Sequence, residues 1–102
     1  MEHRLTITID GHGESEESAE RFLAGFEETH PEVGPVVAQN LVRQTLTVTF
    51  SLDVDDVDQA YELGRPVFRD GASASDLEPA PILSIEIEVV TADELEHELQ
   101  PA

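Results

Sequence analysis

Asp10-x-His12-x-Glu14 is the stretch whose residue types are most suited to chemistry. Two carboxylates and an imidazole at alternate positions offer oxygen and nitrogen ligands to a divalent ion, and Gly11 and Gly13 let the backbone fold around it. A metal site needs more convergent ligands than one such turn supplies, so the plain reading is a Gly-rich turn with polar neighbours. Glycines ahead of a helix also suit an anion, but Glu14, Glu16 and Glu17 would repel a phosphate. A second acidic cluster, Asp53, Asp55, Asp56 and Asp58, lacks the central Gly and the closing Glu of a calcium loop and reads as helix capping. Arg65 and Arg69 are four apart and could grip a carboxylate ligand, yet Glu62 and Asp70 make pairing along the helix the simpler reading. Tyr61 falls on an apolar stripe and is expected in the core with its hydroxyl at the margin. His3, His30 and His97 are far apart and read as isolated surface histidines. No Ser-His-Asp order, GxSxG, Walker or dinucleotide fingerprint occurs, so no catalytic residue and no cofactor is assigned.

Composition sets the bounds. The 102 residues suit one domain, 39% of them are hydrophobic, and the core must be mostly Leu, Ile and Val with four Phe. Without Cys, thiolate ligands and disulfides are excluded. No apolar run approaches the ~18–20 residues of a membrane helix, and MEHRLTITID shows no basic region followed by a long apolar run, so no signal peptide and a cytoplasmic location are expected. Twenty-three acidic residues face five arginines, a net charge of -18. That surface repels nucleic acid and anionic membranes and would attract basic proteins or divalent cations. Adaptation to a salt-loaded cytoplasm explains the same acidity without any partner.

The elements that must position these residues follow from periodicity. Leu5, Ile7 and Ile9 alternate with polar residues in a strand over His3–Asp10. Ser15 caps a helix over Glu16–Thr29 whose Ala19, Phe22, Leu23 and Phe26 form one stripe, with Gly25 allowing a close approach to the sheet. A weaker strand over Val36–Val42 has an ambiguous register. The plainest alternation lies in Gln44–Asp53, where Leu46, Val48, Phe50 and Leu52 interleave with Thr45, Thr47, Thr49 and Ser51. Asp55 or Asp56 caps a second helix carrying Val57, Ala60, Tyr61, Gly64, Val67 and Phe68; Pro66 predicts a kink or break near Gly64-Arg65, and Gly71 predicts its end. Ala72–Pro81 reads as a mobile surface loop. Leu83, Ile85, Ile87 and Val89 make the fourth strand, and Thr91–Glu94 opens a short terminal helix over 92–99.

Strand-helix-strand twice over resembles the ferredoxin-like superfold in element order, across residues 3–90 of a single domain spanning 1–102. That resemblance implies an α+β fold: a four-stranded antiparallel sheet, two helices on one face, strands one and three central. It fixes no activity. The open face should show Thr6, Thr8, Thr45, Thr47 and Thr49, without the aromatic and basic residues by which such sheets bind RNA. It is either solvated or packed against a second copy. The leading expectation is a non-enzymatic assembly module, a homodimer or higher oligomer, with those threonines and Leu95 and Leu99 of the terminal helix as its interface. The second is a small ligand-binding or enzymatic domain with a pocket between strand one, helix one and the 72–81 loop, involving Asp10, His12 and Glu14. The third is an acidic nucleic-acid mimic that occupies a basic protein.

Overall fold

The computed structural model describes residues 1–90; the expected terminal helix over 92–99, with Leu95 and Leu99, lies outside the described residues. Strict alternation buries one side of each central strand. In β1 (Glu2–Asp10) the buried side carries Leu5, Ile7 and Ile9; in β3 (Thr45–Asp53) it carries Leu46, Val48 and Phe50. The antiparallel register sets Leu5 opposite Phe50, Ile7 opposite Val48 and Ile9 opposite Leu46. The other face then aligns threonines in pairs, with hydroxyl oxygens 2.9 Å apart for Thr8 and Thr47 and 3.5 Å for Thr6 and Thr49. With β2 (Val36–Asn40) on β3 and β4 (Ile82–Val90) on β1, the order is β2-β3-β1-β4. This is the ferredoxin-like sheet expected from element order, β1 and β3 at its centre.

Helix α1 (Glu16–Thr29) starts where Ser15 Oγ accepts the Ser18 amide at 3.4 Å, and α2 (Val57–Ala74) where Asp56 Oδ1 accepts the Gln59 amide at 2.8 Å. Of the kink or break expected near Gly64-Arg65, the break does not occur, since α2 continues through Pro66. The expected end at Gly71 is corrected: the helix passes it and ends at Ala74. Pro66 removes one donor, leaving the Glu62 carbonyl without its helical partner on an exposed side of the helix where water can replace it. Gly71 is a packing site rather than a stop. A Cβ there would enter the Phe26 ring, and one at Gly25 would meet the Gly71 carbonyl. Gly25 therefore brings α1 against α2, not against the sheet as expected. The helix ends instead through Ser75, whose Oγ donates to the Ala72 carbonyl at 2.6 Å, followed by Asp76 in left-handed backbone at φ 58°. The expected loop shrinks accordingly, and Leu77 and Ala80 pack on the core.

The strand β2 stops at Asn40, short of the expected Val42, because Asn40 Oδ1 accepts the Arg43 amide at 3.0 Å and turns the chain. Leu41 and Val42 become an exposed turn tip, and the ambiguous register resolves with Val37 and Gln39 toward the helices. Between layers, the Phe22 and Phe26 rings meet edge-on at 5.1 Å and Phe26 stacks on Phe50 at 6.2 Å. Two histidines depart from the surface role expected of them. His3 is 1% exposed, its Nδ1–H donating to the Met1 carbonyl at 3.2 Å. His30, just past α1, reaches Asp70 of α2 at 2.9 Å and Glu32 at 3.2 Å. Its hydrogen bond to Asp70 first, then that to Glu32, raises its pKa.

Two predictions follow from this packing. Gly25→Ala and Gly71→Ala would each gain ~1 kcal/mol in an isolated helix; here each lowers the unfolding free energy in urea by about 1–3 kcal/mol through overpacking. Because the His30 pKa is raised on folding, its contribution to stability is complete below the unfolded value of about 6.5 and fades as pH rises through the higher folded value. The thermal midpoint should fall across that window, and His30→Gln should flatten this dependence.

Candidate functional site in the cavity between the second helix and the fourth strand

Drawing α2 toward α1 leaves the inner side of β4 incompletely covered. Ile85 and Ile87 are half-buried, Ile82 and Leu83 are exposed, and the β1–β4 register shifts between Thr8 and Ile9. The gap is a cavity of about 320 Å³. Its floor is the apolar side of Leu5, Ile7, Ile85 and Phe68, and Tyr61, Arg65 and Arg69 of α2 stand along it. A second cavity of about 250 Å³ adjoins it, sharing Phe68 and Arg69. This one runs between Ile9, Phe22 and the 72–80 segment, with His12 among its lining residues. Together they have the character of small-molecule sites, which are mostly apolar with a few placed polar groups.

The turn after β1 positions His12. Gly13 is pressed against the Thr45 backbone, where a Cβ would not fit, and its carbonyl accepts Gln39 Nε2 at 2.8 Å. Held at φ 64°, His12 swings to the 72–81 side and donates Nε2–H to the Glu78 carbonyl at 2.8 Å. Asp10 and Glu14 are exposed and line neither cavity. Of the three residues singled out as a ligand site, the structure brings His12 alone to a cavity. Among the described residues no group of three His, Asp or Glu side chains is arranged to hold a metal ion.

The helix supplies the groups that sequence reasoning set aside. Tyr61 is not in the core; it is 44% exposed, with the Arg65 guanidinium 5.7 Å from its ring centroid. The pairing expected along the helix does not form: Asp70 is taken by His30, and neither Arg65 nor Arg69 makes an ion pair with a described residue. The spacing of four between the arginines was the available signal, since it places both on one side of α2.

On the opposite face of the sheet, Thr6, Thr8, Thr47 and Thr49 lie together, half-buried, while Thr45 is buried beside Gly13. Arg4 bonds Glu88 there at 3.2 Å. No helix among the described residues is long and apolar enough to cross a membrane.

No protein-family model matches the chain, and no curated protein matches it. A solved crystal structure from Chloroflexus aurantiacus J-10-fl, provisionally described as an antibiotic biosynthesis monooxygenase, superimposes with a TM-score of 0.58 at 16% identity, over 90% of this chain and 95% of that one. At that identity the likeness establishes the shared fold. The leading expectation from sequence, a non-enzymatic assembly module, is corrected by this finding, since the neighbour that spans nearly the whole chain is described as an enzyme.

The His12–Glu78 contact is checked by amide exchange. His12→Ala should accelerate exchange at Leu77, whose amide bonds Ser75 Oγ, and at Asp10, whose amide bonds the Pro81 carbonyl, while Val48 stays protected.

Proposed function

We propose that this chain is a small ligand-binding or enzymatic domain whose site is the pair of joined cavities between α2, β4 and the 72–81 segment. The observation that carries the reading is an apolar floor bordered by polar side chains, among them His12, Tyr61, Arg65, Arg69 and Glu78. Such a site selects a compact apolar molecule and orients it by one or two polar groups. The expected pocket between strand one, helix one and the 72–81 loop corresponds to the lobe lined by Ile9, Phe22 and Ala72. If the domain is enzymatic, the neighbour's description supports oxygenation of a small organic molecule as the reaction class. In that case excluding water from the floor would protect reactive intermediates, and the polar border would set the substrate's orientation.

Thermal unfolding against a panel of small apolar and aromatic compounds tests the reading. A ligand at about a hundred times its Kd adds ~2.7 kcal/mol, which raises the midpoint of a domain this size by about ten degrees. Ala72→Leu, which fills the inner lobe, should leave the unliganded midpoint close to wild type and abolish the shift for ligands seated there. Ile85→Phe, which fills the outer cavity, should do the same for ligands seated there. A panel that produces no shift, or shifts unchanged by both cavity-filling variants, contradicts the proposal. Self-association over the Thr6, Thr8, Thr47 and Thr49 face is a separate proposal, for which sedimentation equilibrium should return twice the chain mass and Thr8→Arg the monomer.

A further inference from the structure

We infer that the cavity takes an organic acid, an apolar body carrying one carboxylate, with Arg65 and Arg69 as the carboxylate-binding pair. The inference rests on the site proposed above and deepens it. Its first ground is where the positive charge is placed. The chain has five arginines and no lysine against twenty-three acidic residues. Arg4 is paired with Glu88 and Arg21 with Asp76, and Arg43 sits exposed at the turn after β2, lining neither cavity. Arg65 and Arg69 line the cavity and make no ion pair with any described residue, although Glu62 and Asp70 are close by in sequence.

The second ground is what occupies the expected partners. Asp70 is held by His30 at 2.9 Å, on the α1 side of the helix, away from the cavity. Arg65 rests over the Tyr61 ring, which steers it along the cavity border without neutralising it. A spacing of four places both arginines on one side of α2, and the planar fork of a guanidinium takes both oxygens of a carboxylate through two N–H donors. The third ground is selection by charge. An overall charge of -18 opposes anions in proportion to their valence, so a monoanion with a large apolar body suits this site better than a phosphate ester. The floor of Leu5, Ile7, Ile85 and Phe68 offers that body apolar surface and no hydrogen-bonding side chain.

A matched pair of probes, a naphthoate and the corresponding naphthylmethanol, tests this by calorimetry on wild type, Arg65→Gln/Arg69→Gln and Arg65→Lys/Arg69→Lys. Both arginines are exposed, so the variants should unfold at the wild-type midpoint. Wild type should bind the acid more tightly than the alcohol. The Gln pair should weaken the acid by about tenfold or more, equivalent to ~1.4 kcal/mol, and leave the alcohol unchanged. The Lys pair should restore part of the loss, since a point charge lacks the fork. Equal binding of acid and alcohol by wild type, or acid binding indifferent to the Gln pair, overturns the carboxylate assignment and leaves the cavity as a binding site. Binding of neither probe overturns the assignment together with the site on which it rests.

Discussion

The close crossing of α1 and α2 at Gly25 and Gly71 is the constraint on which the rest of this structure depends. Helices normally pack with axes ~8–10 Å apart, set by the side chains between them. Here one side of the crossing has none, and the Gly71 backbone faces Gly25 directly while Phe26 fills the space beside it. Two helices must cover one face of four strands, and strands lie ~4.8 Å apart. Moving the second helix toward the first uncovers the sheet on the far side. The consequence is visible along β4: Leu5 and Ile7 of the central strand are buried, while the edge strand leaves Ile82 exposed and Ile85 half-covered. The same crossing that tightens the phenylalanine cluster opens the cavity, so stability on one side of α2 and a binding site on the other have a common cause.

Charge sharpens the reading of that cavity. On a chain this acidic, most carboxylates find no cation and face water, and every arginine has many potential partners. Arg65 and Arg69 make no ion pair with a described residue and stand beside an apolar hollow, whereas Arg43 lies at the exposed turn after β2. Surface ion pairs are individually worth ~0–1 kcal/mol, so little stability is lost where Arg65 and Arg69 form no ion pair with a described residue. The acidity itself speaks to solubility and salt tolerance more than to the site.

The sheet was legible in the sequence because burial on one face imposes a period of two, and nothing else in the chain competes with that signal in β1 and β3. The helix α1 was equally legible, its stripe and its Ser15 cap agreeing. Legibility failed where a residue's usual local role was overruled by a distant contact. Gly71 looks like a helix stop, yet it is the point where α1 arrives. Leu41 and Val42 look like strand, yet Asn40 turns the chain before them. Tyr61 matches the spacing of the core stripe, but the core lies nearer α1 and Tyr61 falls on the cavity side. The site was only partly legible for the same reason. His12 stood out by its turn chemistry, whereas Arg65 and Arg69 have sequence neighbours that suggest pairing, and only the three-dimensional competition for Asp70 by His30 shows why it does not form.

Methyl NMR of the isoleucine, leucine and valine side chains, recorded as the naphthoate is added, tests the central claim most directly: that the space opened between α2 and β4 is where this protein binds its ligand. The account predicts that resonances of Leu5, Ile7, Ile82 and Ile85 move together and saturate, while Val37 and Leu46 beneath α1 and Val42 at the distant turn stay in place. Movement confined to Leu41 and Val42 or to the outer face, or no saturable movement at the four floor and edge residues, would contradict it.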